Sequence, residues 1–438
     1  KYSYEMGKII AEECRILGVH QNYAPVMDIN NNPKNPIINV RAYGDNAELV
    51  SKMGTAFIKG MQEVGVIATA KHFPGHGDTD IDSHNDLPVL PFDMERMNNL
   101  ELKPFQSSID AGVKSVMIAH LSFPELEKNP KLPSSLSKSI VNDLLIEKMG
   151  FKGLIVTDAL NMSGITKNFS TEEIAVMCVE AGNDLILMPV GEIKAINAIE
   201  AAVKSGSISE ERIEVSCEKI LRAKNELGLF EKKVINLELI DAGINSEKAK
   251  KLAREIADAS MTLVKNHKDV IPLKGNKDYL IISINNTSDK NPSAQFLDGL
   301  GASMRQINSG YKMLEIESGK FGIENYIKEA EDFETVIIPI FSRVLHKSGT
   351  VGIPDRQVEL IIKLIDAGKK VAIISFGNPY LLKGFAGVDA YIAAYSDSPY
   401  SVEAGIKALT GEIGISGKLP VTISDEFKTG FGIKLEKK

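Results

Sequence analysis

The chain has 438 residues, 43% of them hydrophobic, and a formal net charge of −7, so it can bury large cores, and its length predicts two or three domains. The acidic balance, with no Lys/Arg run interleaved with aromatics, argues against nucleic acid as a partner. Cys14, Cys178 and Cys217 are odd in number and far apart, which supports neither a disulfide framework nor a thiolate metal cluster, and no apolar run is long enough to span a bilayer.

The opening stretch, KYSYEMGKIIAEECRILG, reads as the middle of an amphipathic helix, and no secretion signal is visible. The expectation is that the native N-terminus lies upstream. Five short apolar runs follow: QNYAPVMDIN (21–30), VIATAKHFPGHG (66–77), VKSVMIAHLSF (113–123), GLIVTDALNM (153–162) and DLILMP (184–189). Each reads as a strand. Between them lie amphipathic segments such as 47–65 and 137–150, the latter with Ser137 as N-cap and Gly150 as stop. Alternating strand and helix predicts a parallel sheet with helices outside it. Chemistry in such sheets collects beyond the C-terminal strand ends, where Asp28, Lys71, His72, His120 and Asp158 fall. Five strands do not close an eight-stranded barrel, so either the sheet is open or three further units lie upstream of residue 1.

Residues 225–251 are charged and weakly periodic, which suits a linker that becomes helical near residue 246. Beyond them DYLIISIN (278–285), TVIIPIF (335–341), KVAIISFG (370–377) and DAYIAAYS (389–396) predict a second α/β domain. GISGKL (414–419) is half a phosphate loop, but Glu412 replaces its first glycine and Leu419 its Mg²⁺-binding hydroxyl. Neither GxGxxG nor GxSxG occurs, which removes the usual supports for dinucleotide binding and for a serine-hydrolase elbow.

The densest chemistry lies in KHFPGHGDTDIDSHNDLP (71–88), which holds His72, His76 and His84 of the chain's seven histidines, with Lys71, Asp78, Asp80, Asp82 and Asp86. His72 and His76 have zinc-ligand spacing for a helix, but Pro74 and Gly75 between them make a helix improbable, so no metal site is expected. A loop folding on itself through Asp and His side chains explains one or two such residues. A third reading places an acid/base here. Asp82 is two residues from His84 and can take its N–H, leaving the other ring nitrogen to donate and accept protons near neutrality. Its natural partner is Asp158, directly after the apolar GLIVT, where a carboxylate can attack an anomeric carbon. Retaining glycosidases ordinarily use two carboxylates about 5–5.5 Å apart; here a histidine would replace the second.

The stretches NYAPVMDINNNPKNPIINVRAYG, ATAKHFPGHGDTDIDSH and GLIVTDALNMSGI resemble glycoside hydrolase family 3, specifically its β-N-acetylglucosaminidase branch, and ASMTLVKNHKDVIPLKG and GISGKLPVTIS resemble the entry and exit of that family's second domain. The resemblance implies a TIM-type (β/α)8 barrel whose last five βα units occupy residues 1–234, a linker and helix over 235–255, and a three-layer α/β/α sandwich over 256–438. It implies Asp158 as nucleophile, His84 as acid/base on a mobile loop, Asp82 as its dyad partner, and Arg41, Lys71 and His72 as contacts to the sugar's hydroxyls or N-acetyl group. The family's DQEGG-type strand end is missing from this sequence, so a missing N-terminal segment is expected to complete the barrel. The substrate implied is a non-reducing-end β-1,4-linked N-acetylglucosamine, in a muropeptide of peptidoglycan origin or a chitooligosaccharide. No metal, nucleotide or flavin cofactor is implied, and an extracellular or cell-surface location is favoured over the cytoplasm. Two other classes stay open: a glycoside phosphorylase, and an inactive carbohydrate-binding fragment. His76 and Asp78 read first as loop scaffolding, Asp28 first as a structural strand-end carboxylate, and His120 equally as pocket or core. His267 and His346 receive no role.

Overall fold

The apolar runs of the first half pair as parallel strands. The structure, a computed structural model, describes all residues except 81–85, 232–233, 288, 317–320 and 343–351. It divides into two units, Lys1–Ala249 and Lys250–Lys438. In the first unit β1 (Gln21–Asn22), β2 (Ile67–Phe73), β3 (Ser115–Ile118) and β4 (Leu154–Thr157) lie side by side in that order, all parallel. Nearly every residue of β2, β3 and β4 is buried, as parallel strands covered on both faces must be. Phe57, Phe73, Phe105, Val116 and Ile155 share one core, with the Phe73 and Phe105 rings edge to face at 5.3 Å. The result is the curled arc of an α/β barrel.

Two of the expected strands are shorter than their apolar runs. In 21–30, Pro25 has no N–H to give, and regular pairing stops at Asn22; the run then continues along β2 through a bridge between Val26 and Lys71. The segment 184–189 forms no regular strand. It follows β4 through one bridge, Val156 to Leu185, and through the Leu187 amide, which donates to Thr157 Oγ1 at 3.0 Å. The Asp184 carboxylate accepts the Ile155 amide at 3.0 Å, replacing a ladder bond with a side-chain one, and Met188 adopts a positive φ of 50°.

Helices cross between the strands. Ala47–Glu63 begins at Asn46, whose side chain accepts the amides of Glu48 and Leu49 at 3.0 Å each. The helix expected over 137–150 exists as Ser139–Lys148 but is wound as a π-helix. Ser137 accepts the Ile140 amide at its start and Gly150, at φ 72°, follows its end.

The second unit carries β5 (Thr262–Asn266), β6 (Tyr279–Asn285), β7 (Tyr311–Ile316), β8 (Thr335–Ser342), β9 (Lys370–Gly377) and β10 (Ala390–Ala393) in the order β5-β10-β9-β8-β6-β7. All neighbours are parallel except β5, which runs antiparallel to β10. β6, β8, β9 and β10 are the anticipated strands; β5 and β7 were not foreseen. Strand alternation distributes their side chains to two separate cores. Leu280, Ile282, Ile284, Val336 and Ile338 enter one, and Tyr279, Ile281, Ile337 and Phe341 the other. A sheet buried on both faces between helices is the α/β/α sandwich. On the second face Phe341 stacks on Phe376 at 4.8 Å and meets Phe296 edge-on at 6.2 Å. Phe341→Ala leaves both rings unsupported and should cost about 3–5 kcal/mol, read as a fall in the urea midpoint; a change below about 1 kcal/mol would mean that this face repacks freely.

Candidate active site

Parallel strands deliver their C-terminal ends to one rim. Asp28 follows the β1 run, Lys71 and His72 lie in the last part of β2, His120 lies two residues past β3, and Asp158 directly follows β4. Asp158 is fixed at its backbone by donating its amide to the Ile118 carbonyl of β3 at 2.8 Å. Its Oδ1 accepts the Ala159 amide at 2.8 Å, and Oδ2 takes no hydrogen bond among the described residues. Burial presses this carboxyl upward, but the imidazoles of His72 and His120 and the Ala159 amide outweigh it and hold Asp158 below the ordinary carboxylate range. The rim therefore presents an ionised carboxylate with one oxygen free.

Asp28 is fully buried and wholly engaged. Its Oδ2 accepts His72 Nδ1 at 2.7 Å, its Oδ1 accepts the His76 amide at 2.8 Å, and both oxygens lie 3.2–3.3 Å from the His72 amide. Burial again opposes the charge, and His72 with His76 more than reverses that, so Asp28 too lies below its ordinary range. Among the described residues, Asp158 is the one of these two rim carboxylates with an oxygen left for a ligand. The histidines behind it go the other way. His76 is buried, which drives it down to about 4, helped by its neighbour His72, and burial likewise lowers His120. His120 Nε2 donates to the Ala159 carbonyl at 3.1 Å, so its Nδ1 accepts from the Ser135 hydroxyl at 2.8 Å.

Lys71 is half-buried. Burial and the neighbouring Arg41 cation lower its affinity for a proton, while Asp158 and Asp28 pull in the opposite direction; the net shift is downward. Its Nζ has no hydrogen-bond partner among the described residues. Arg41 ends the short turn Asn39–Arg41 and donates from Nη1 to the Ile37 carbonyl at 3.0 Å. The structure thus brings Arg41, Lys71, His72 and Asp158 into one electrostatic group.

The loops carrying them are locked together by Asn35, which is fully buried. Its Nδ2 donates to the carbonyls of His76 (2.8 Å) and Gly77 (2.9 Å), and its Oδ1 accepts the amides of Ile37 and Ile38 at 2.9 Å each. All four bonding positions of the amide are used. A Cβ on Gly77 would lie 1.7 Å from the Ile29 carbonyl oxygen, so only glycine lets the two loops meet. Asp78 is held by Arg96, whose Nη2 donates to it at 2.6 Å while Nε and Nη2 hold Glu101 at 3.1 and 3.0 Å. His76 and Asp78 contact other parts of the protein: the His76 amide donates to Asp28, its carbonyl accepts from Asn35, and the Asp78 carboxylate accepts from Arg96. His120 is buried, with both ring nitrogens engaged by Ser135 and the Ala159 carbonyl. Asp28 and Asn35 carry more of the site than their sequence context announced; the paired Asn-Pro steps of NNPKNP were the one available signal for a fixed turn at Asn35. Asp82 and His84 lie outside the described residues, as does His346. Among the described residues no group of three or more His, Cys, Asp or Glu is arranged to hold a metal ion, and no helix is long and apolar enough to cross a membrane.

Residues 1–223 match the glycosyl hydrolase family 3 N-terminal domain, and residues 261–431 match its C-terminal domain. The chain belongs to glycoside hydrolase family 3. A β-hexosaminidase A of Pseudoalteromonas piscicida is 33% identical over 294 residues, which are 63% of this chain and 48% of that protein. The chain therefore spans about half the length of this curated relative. Among solved structures, a glycoside hydrolase family 3 β-N-acetylglucosaminidase from Paenibacillus sp. str. FPU-7 superposes with a TM-score of 0.83 at 34% identity, covering 96% of this chain and 80% of that one. The β-glucoside phosphorylase BglX bound to 2FGlc superposes with a TM-score of 0.86 at 28% identity, covering 96% and 77%. These matches support the family and branch that the KHFPGHG and GLIVTDALNM stretches suggested, and the two-domain fold that follows from them.

In this family 3 chain the buried histidines make the rim acid-sensitive. His76 has a folded value near 4 against about 6.5 unfolded, so between those limits the unfolded chain binds more protons. Stability is then full above about pH 6.5 and is lost as pH falls toward 4, with a slope of up to about 1.4 kcal/mol per pH unit from this residue. Urea unfolding across that range in the protein and in His76→Gln should show the steeper loss in the unmodified chain; parallel curves would remove His76 from the account.

Proposed function

We propose that the whole protein is a retaining exo-β-N-acetylglucosaminidase that releases non-reducing-end N-acetylglucosamine from peptidoglycan-derived muropeptides, with chitooligosaccharides as further substrates. The observation that carries this reading is Asp158: an ionised carboxylate at a strand end, with one oxygen unengaged among the described residues, in the field of the Lys71 cation, which has Arg41 as its own neighbour. The names of the β-hexosaminidase and β-N-acetylglucosaminidase relatives support the sugar. In the proposed reaction Asp158 attacks C1 while His84, paired with Asp82, gives its proton to the departing glycosidic oxygen. This forms a glycosyl ester on Asp158. His84 then takes a proton from water, the resulting nucleophile displaces Asp158, and two inversions leave the β-anomer. Arg41, Lys71 and His72 bind the sugar's hydroxyls or N-acetyl group. With that substrate goes the proposal of an extracellular or cell-surface location.

A second reading keeps the glycosyl ester and changes the acceptor. A neutral histidine repels an incoming phosphate less than a carboxylate does, and one structural neighbour is named a β-glucoside phosphorylase. Product analysis in phosphate buffer separates the two: free N-acetylglucosamine supports hydrolysis, and its 1-phosphate supports transfer.

Asp158→Asn and Asp158→Ala should abolish turnover while leaving the melting temperature nearly unchanged, and a 2-deoxy-2-fluoro or 5-fluoro glycosyl reagent should label Asp158 in the unmodified protein. Labelling at another carboxylate would defeat the assignment. For His84, general acid catalysis is worth about 10²–10⁴-fold, and the loss should depend on the leaving group. His84→Gly should cripple a natural disaccharide far more than an aryl glycoside with an acidic phenol, with the glycosyl ester accumulating and azide partly restoring turnover. Equal slowing of both substrates, without accumulation, would make His84 a scaffold.

A further inference from the structure

We infer that Asp28 is a positioning residue acting through His72, fixing which ring nitrogen carries the proton and holding Nε2 toward the sugar; the inference rests on the glycosidase reading for its ligand and on geometry alone for its mechanism. Asp28 has no exposed surface, and it lies 44 positions from His72 in the chain. A carboxylate accepts only, so the 2.7 Å contact to Nδ1 requires the proton to sit on Nδ1. Nε2 has no hydrogen-bond partner among the described residues. The ring is braced on its other flank by His76, edge to face at 5.9 Å. Asp28 also receives the amides of His72 and His76, so the orientation of the ring and the path of the loop are set by one buried group. The His72 imidazole also acts on Asp158, helping to hold that carboxyl below its ordinary range.

Two roles are separable because Asp28→Asn changes only one of them. The amide oxygen of asparagine still accepts from the His76 and His72 backbones, whereas its NH₂ faces Nδ1 as a donor. Nδ1 must then give up its proton to Nε2, and the open nitrogen changes character. Orienting carboxylates behind metal-binding histidines are worth roughly 10–100-fold, and a loss of that order is expected here in affinity for N-acetylglucosamine and in KM for an aryl N-acetylglucosaminide, with kcat changed less. In a His72→Ala background the same Asp28→Asn substitution should cost under about twofold, since coupled residues are strongly non-additive. An equal loss in both backgrounds would mean that Asp28 supports the loop and not the ring. A readout free of substrate comes from ¹⁵N NMR of the histidine rings: His72 should be protonated at Nδ1 in the unmodified protein, and at Nε2 in Asp28→Asn. Finding Nδ1 unprotonated in the unmodified protein would overturn the inference even if Asp28→Asn failed to fold. If the unmodified protein neither cleaves nor binds the sugar while the NMR pattern holds, the glycosidase reading falls and the positioning role stands.

Discussion

Two carboxylates held in their charged form behind a parallel-strand rim set the terms for everything around them. Asp28 is fully buried and Asp158 partly so, and removing a carboxylate from water is costly unless donors and opposite charges replace the water. The protein meets this by concentrating donors. Asp28 takes a ring N–H and two backbone amides, and Asp158 takes the Ala159 amide and the nearby fields of His72 and His120. Because His72 is coupled to both carboxylates, their ionisation is a shared property, and displacing that ring would be felt at each of them.

The chain path follows from the same constraint. For the His72 and His76 amides to converge on one carboxylate, the segment between them must turn back sharply, and Pro74 and Gly75 supply the turn where a helix would have carried the amides away. For the turned segment to sit against the one carrying Arg41, no side chain can intervene, hence Gly77 against the Ile29 carbonyl. The backbone groups exposed by that contact are taken up by Asn35. Charge, turn and close approach are three consequences of one arrangement, which explains why the segment 71–77 is so dense in residues with few substitutes.

Sequence periodicity made the buried strands legible where it was strongest. β2, β3, β4, β6, β8 and β9 are near-continuous apolar runs ended by polar residues. β7 escaped because YKMLEI mixes charged and apolar residues on a strand at the sheet edge, with only its last residue buried. β5 is five residues long and ends in Lys265 and Asn266. The segment 184–189 looked like a strand because it is apolar, yet the Asp184 side chain takes a bond that the backbone ladder would otherwise use. At the site, Asp158 announced itself by following an apolar run, whereas Asp28 did so equally and was read as structural. What separates them is occupancy. Three donors from residues 44 and 48 positions away fill Asp28, and no local pattern encodes a pairing over that distance.

The described rim groups also bear on where the proton donor must be. Burial drives His76 and His120 toward the neutral form, and their surroundings hold Asp28 and Asp158 in the charged form. A general acid has to change protonation state in every turnover, with an affinity for its proton near the working pH. Carboxylates held in the charged form suit a different task, that of stabilising the positive charge that develops at the anomeric carbon. In the proposed reaction this divides the labour: no rim group gains or loses a proton while Asp158 forms and releases the ester, and proton transfer falls to His84, which the sequence places beyond the Asn35-locked turn and two residues from Asp82. A histidine built into the rim could not serve both ends, because each protonation of it would be transmitted to the carboxylate that has to remain a nucleophile.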